Sequence, residues 1–176
     1  YAAVACSRGR KPSMEDEFVL DERGCVGVFD GHAGGEASEY CKLNWIRVAD
    51  ECGGDLAAAL RQLDEEFLRL ALDPLLPEPW YCGTTACVVR FADGTMTAAN
   101  LGDSRAILAR GHQVIALSQD HNPGREDERA RIVAAIRRRA GAARRAVASV
   151  VAHRQRHPVT GKPGAPEFDR DALQIV

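Results

Sequence analysis

Apolar residues alternate with polar ones in short stretches at the start of the chain, then switch to the three-and-four spacing of helices. Tyr1–Cys6, Glu17–Asp21 and Val26–Phe29 carry the strand signal, the last nearly continuous in apolar residues. Glu36 to about Cys52 reads as a helix, and Asp55 is a good N-cap for a second. In that second helix Leu56, Leu60, Leu63, Phe67 and Leu70 recur at spacings of four and three, the stripe of a core face. Pro74, Pro77 and Pro79 end it. Thr84–Phe91 and Thr95–Leu101 then flank Ala92-Asp93-Gly94, a hairpin signal, and Arg105–Arg110 and Gln113–Leu117 flank Gly111-His112 as a second hairpin. Strands, then helices, then strands, without a regular βαβ alternation, predict an α+β fold of helices layered on antiparallel sheets. There is no internal repeat.

With 176 residues and 45% hydrophobic content, the chain can bury one good-sized core, so one domain is expected. No run of 18 apolar residues marks a membrane span, and no basic-then-apolar leader is present, although the chain starts at Tyr1 and leaves an upstream targeting segment open. Cys6, Cys25, Cys41, Cys52, Cys82 and Cys87 form no CxxC pair and sit among apolar neighbours, as buried reduced thiols of an intracellular protein do, cytoplasmic or nuclear. The net charge of −2 hides an asymmetry. Residues 129 to 157 hold nine arginines and no acid, so the rest of the chain carries 14 basic and 25 acidic residues, a net −11. An acidic body suits cation binding better than nucleic acid.

Three acidic strand ends stand out. Glu15 and Asp16 in "SMEDE" precede a strand; taken singly, such a pair reads as a solvated turn. Asp30 follows an apolar strand directly in "FDGH", where Gly31 leaves its carbonyl open to close approach, although Asp-Gly is also a common turn. Asp103 in "NLGDSR" repeats the device, against the plainer reading of a turn with an Asp103–Arg105 surface pair. Mg²⁺ and Mn²⁺ take oxygen ligands, keep several waters and need few carboxylates, so Asp16, Asp30, Asp103 and the Gly31 carbonyl make a candidate set. His32 could protonate a leaving oxygen, and Arg8, Arg10 and Lys11 supply positive charge for a phosphate. The reaction class that follows is metal-assisted hydrolysis of a phosphoester.

"KPSMED", "GVFDGHAGG", "CGTTACVV", "NLGDSRAIL" and "LSQDHNP", in this order, resemble the metal-dependent protein phosphatases of type 2C over residues 1–134. The resemblance implies a sandwich of two antiparallel β-sheets flanked by α-helices, with two Mg²⁺ or Mn²⁺ ions and a third, looser site. It implies hydrolysis of phosphoserine and phosphothreonine in proteins by a metal-activated water. Asp30 becomes the bridging ligand and Gly31 a carbonyl ligand; Glu15 and Asp16 hold metals directly or through water. Asp103 serves the third site, His32 is the general acid, and Arg10 and Lys11 bind phosphate. Thr85 falls where the family has a threonine near the metals, although it alternates like any strand residue.

The sequence departs from that pattern twice. Lys11 stands where the family usually has an arginine, and a lysine cannot grip two phosphate oxygens as a planar fork does. Residues 135–176 form a divergent basic tail without the family's two later metal-binding aspartates, so the sandwich is expected to be incomplete at that end. The alternative function is therefore an impaired relative that binds phosphoproteins or regulates a partner. The tail reads as a solvated surface segment more than a nuclear-localisation or RNA-contacting one, since no aromatic residue interleaves its arginines. His153 and His157 share helical i,i+4 spacing, which Arg154 and Arg156 make unsuitable for a cation. Expected partners are phosphoproteins, with no membrane or nucleic acid, and the chain is expected to be a monomer.

Overall fold

The computed structural model describes residues 2–73, 75–76, 80–141, 155–158 and 171–175. In chain order the first elements are β1 (Glu17–Asp21), β2 (Cys25–Phe29), β3 (Gly31–His32), α1 (Glu36–Glu51) and α2 (Leu56–Ala71). There follow β4 (Gly83–Thr84), β5 (Ala86–Ala92), β6 (Thr95–Leu101), β7 (Ala106–Arg110) and β8 (Gln113–Ala116). The last are α3 (Glu126–Gly141), β9 (Gln155–Pro158) and β10 (Asp171–Ile175). One antiparallel sheet has the order β1-β2-β5-β6-β9 and a second the order β10-β7-β8, while β3 and β4 make a separate two-stranded ladder.

The layering follows from the period-two pattern of the central strands. On β5, Ala86 and Val88 point to a cluster with Phe29, Trp45, Val48, Leu60 and Leu63, which seats α1 and α2 on one face of the large sheet. Cys87 and Val89 point the other way, joining Met96, Ala98, Ala106, Leu108 and Leu117 between the two sheets. The result is a helical layer, a five-stranded sheet and a second sheet, the α+β sandwich expected. The Asp55 carboxylate caps α2 by accepting from the Ala57 and Ala58 N–H groups at 3.0 and 3.1 Å. Asp93 and Gly94 both take positive φ, 51° and 67°, the conformation a two-residue type I′ hairpin between β5 and β6 requires.

Not every expectation holds. Ala2–Cys6 form no strand and are exposed, and among the described residues no strand pairs with them. Leu70 is 39% exposed, and the inward position at that end of α2 belongs to Ala71, which packs with Phe67 and Ala37. His157 lies in β9, paired with Met96, so its helical spacing from His153 does not apply; His153 lies outside the described residues, as do Pro74, Pro77 and Pro79. The single strand expected from Thr84 to Phe91 is broken at Thr85 into β4 and β5, for a reason that belongs to the site.

Candidate metal centre at one end of the sheet

Strand direction decides which loops meet. β1 and β5 run antiparallel to β2, and β6 antiparallel to β5, so the start of β1, the end of β2, the start of β5 and the end of β6 all lie at one end of the sheet. Those positions lead to Asp16, Asp30, Thr85 and Asp103. Four stretches separated by up to 87 positions therefore converge through pairing alone.

Asp30 is half-buried, and burial pushes its carboxyl above the ordinary aspartate range. The neighbouring Asp16 carboxylate and the Asp103 charge push the same way, while Lys11 opposes them. Asp16 Oδ1 is buried with no hydrogen-bond partner. Two carboxylates side by side, one with an orphaned oxygen, fit a hard divalent cation that keeps several waters. Among the described residues, however, no three His, Cys, Asp or Glu side chains gather closely enough to hold a metal together.

The backbone around this pair is held by specific groups. Thr85 grips Asp30 twice: its Oγ1 accepts from the Asp30 N–H at 3.1 Å, and its N–H donates to the Asp30 carbonyl at 2.8 Å. The Thr85 hydroxyl also pairs with Ser104 Oγ at 2.6 Å, joining the Asp30 loop to the Asp103 loop. A side-chain oxygen has replaced a ladder carbonyl, which is why the strand breaks at Thr85. His121 grips Gly102 in the same manner, its Nδ1 accepting from the Gly102 N–H at 3.2 Å and its own N–H donating to the Gly102 carbonyl at 2.8 Å. Burial lowers the His121 pKa, which keeps the ring neutral and its Nδ1 able to accept. The plain alternative for Asp103 is not formed, because Arg105 pairs with Asp120 instead, at 2.5 Å.

Gly31 and Glu15 meet in the tightest contact of the site. A Cβ at Gly31 would lie 2.2 Å from the Glu15 carbonyl oxygen and 2.8 Å from Ser38 Oγ. The wholly buried Ser38 hydroxyl lies within hydrogen-bonding distance of the Glu15 and Gly35 carbonyls, which ties the acidic turn to the start of α1. The Glu15 carboxylate accepts from the Gly34 N–H at 3.1 Å. His32 is exposed and stands opposite Gly83 in the β3–β4 ladder. Lys11 and Arg10 lie exposed in the preceding turn. Ser38, Ser104 and His121 carry no role in the sequence reading. "GDS" and "QDH" lay inside motifs already noted, but one serine within a helix gives no such signal.

A profile of the family "Protein phosphatase 2C" matches residues 5–138. The chain belongs to the protein phosphatase 2C family. Among curated relatives, it is 35% identical over 142 residues to "Probable protein phosphatase 2C 59" of Arabidopsis thaliana, a match covering 73% of this chain and 44% of the relative. It is 34% identical over 158 residues to Protein phosphatase 2C 56 of the same plant, covering 72% of this chain and 36% of the relative. The chain thus spans less than half the length of these two relatives. Among solved structures, PppA of Pseudomonas aeruginosa matches with a TM-score of 0.60 at 22% identity, covering 92% of this chain and 69% of that one. The Mycobacterium tuberculosis serine/threonine phosphatase PstP/Ppp matches with a TM-score of 0.58 at 19% identity, covering 94% and 72%. These likenesses show a protein phosphatase 2C fold; the catalytic domain of PstP is also known in complex with two manganese ions.

Proposed function

We propose that this chain carries the metal-binding and phosphate-binding end of a protein serine/threonine phosphatase, acting on phosphoserine and phosphothreonine in proteins with Mg²⁺ or Mn²⁺. The observation that carries the reading is the Asp16–Asp30 pair with its orphaned Asp16 oxygen. Asp16 and Asp30 would hold the cation, with the Gly31 carbonyl at the same strand end and Asp103 serving a looser site. When bound, the metal supplies charge for the phosphate and a water acidic enough to attack near neutral pH. Lys11 and Arg10 bring the positive charge a phosphate needs, Lys11 being close enough to act on Asp30. His32 donates the proton to the departing serine or threonine oxygen. Glu15 holds the Gly34 N–H and so the shape of the loop that carries His32.

One observation favours a second reading, an impaired relative that binds phosphoproteins: the described residues gather no third close ligand. Release of inorganic phosphate from a phosphothreonine peptide, measured with and without Mn²⁺, separates the two. Phosphatase function requires Mn²⁺-dependent release that Asp30→Asn abolishes. Peptide binding without release in any Mn²⁺ concentration would leave the second reading standing.

A further inference from the structure

We propose that Gly83 is a positioning residue for His32, setting where the imidazole rests by offering it a seat with no side chain. The inference builds on the reading of His32 as the proton donor.

His32 and Gly83 are directly opposite in the antiparallel β3–β4 ladder. Opposite residues in such a pair project from the same face with Cβ atoms roughly 5 Å apart, so an imidazole facing any other residue stands beside that side chain. Facing Gly83 it lies across the strand instead. A Cβ at Gly83 would be 2.6 Å from His32 Nε2, 2.9 Å from Cε1 and 3.6 Å from Cδ2. The Nε2 edge of the ring occupies the volume that any other residue would fill.

Both sides of this ladder are pinned. On the β4 side, the Trp80 N–H donates to the Ala71 carbonyl at 3.1 Å, and its ring stacks on Phe67 at 6.1 Å between centroids. On the β3 side, Gly31 is wedged against the Glu15 carbonyl and Ser38. An exposed histidine on a mobile turn would sample several rotamers. Here the backbone is fixed and the seat selects one place for the ring.

The geometry also makes the test clean. Gly83 does not have the left-handed φ that excludes alanine, and the atoms an alanine would displace are the end of an exposed side chain. Gly83→Ala should therefore keep the fold and move the ring. In the reaction, the water oxygen forms its bond to phosphorus and gives up a proton to solvent, while the ester oxygen leaves phosphorus and takes a ring N–H proton from His32, which the ring regains from solvent. An aryl phosphate, whose phenolate leaves unaided, needs that proton far less.

The experiment compares wild type, Gly83→Ala, His32→Gln and the double variant in Mn²⁺, with kcat/KM on a phosphothreonine peptide and on para-nitrophenyl phosphate. The loss in Gly83→Ala should be about tenfold or more greater on the peptide than on the aryl ester, within the range general acids supply. In the His32→Gln background the alanine should add nothing to that ratio. By NMR, wild type should show a cross-peak between His32 Hε1 and a Gly83 Hα, and Gly83→Ala should lack it. Equal losses of Gly83→Ala on both esters overturn the positioning role, and so does a wild type without the cross-peak. Equal losses of His32→Gln on both esters remove the proton-donor reading and this inference with it.

Discussion

At the scale of single residues, the site depends on groups that touch the acids rather than on the acids alone. Thr85 satisfies both backbone groups of Asp30 and passes its hydroxyl to Ser104. Thr85→Val keeps the shape but leaves the Asp30 N–H without its acceptor, so it should cost about 1–3 kcal/mol in urea unfolding. It should also weaken Mn²⁺ binding about 10- to 100-fold by calorimetry, as lost support for a ligand commonly does. Thr85→Ser should stay within a few-fold of wild type; if it fails and valine does not, Thr85 acts by packing. Gly31→Ala is a harsher change. Its methyl would meet a carbonyl oxygen at 2.2 Å that cannot rotate away. The expected cost is at least about 1–3 kcal/mol, the range for overpacking, read as a lower midpoint in the same unfolding measurement.

At the scale of elements, α1 and α2 are tied by a polar cluster centred on Glu66 of α2. Glu66 accepts from Arg47 at 2.6 Å, from Tyr40 at 2.9 Å and from Gln62 at 2.8 Å. The Arg47 hydrogen bond is the main cause that brings the Glu66 pKa down to about 2. A depressed carboxylate pKa means that the unfolded chain binds the proton more readily. The stabilisation is therefore complete above the ordinary glutamate value of about 4.5 and disappears as pH falls toward about 2. Because Arg47 is largely solvated, the contribution at neutral pH should be only about 1 kcal/mol. Glu66→Gln should lose about that much at pH 7 and progressively less as pH falls from about 4.5 through about 2, measured as a difference in unfolding free energy. A constant difference across that window would place the tie elsewhere.

At the scale of the whole molecule, stability rests on two apolar layers, one on each face of the large sheet. Trp45 is 1% exposed and packs against Phe29 at 6.2 Å in the layer beneath the helices. Met96 is 2% exposed in the layer between the sheets. Trp45→Ala should cost about 3–5 kcal/mol and Met96→Ala about 2–5 kcal/mol. Leu43 faces solvent at 71% exposure, so Leu43→Ala should stay within about 0.5 kcal/mol. Thermal melts of the three variants check all of this, and a Leu43 loss as large as that of Met96 would mean that α1 has a second buried face.

The sequence by itself determined what depends on near neighbours. Period-two and three-and-four spacing placed the central strands and α1 and α2, Asp55 announced a cap, and Ala92-Asp93-Gly94 announced a hairpin, because each rests on local sterics and hydrogen bonds. The ordered motifs around Asp16, Asp30 and Asp103 marked the end of the sheet where the acids collect. Only the tertiary structure decided the rest. It left Ala2–Cys6 without a strand partner, turned Leu70 outward, sent Arg105 to Asp120 rather than Asp103, and broke the expected strand at Thr85. It also gave Ser38, Gly83 and His121 their contacts with residues tens of positions away or nearly so. Those outcomes depend on which edge or side chain from another part of the chain stands opposite, and spacing within one segment carries no record of that.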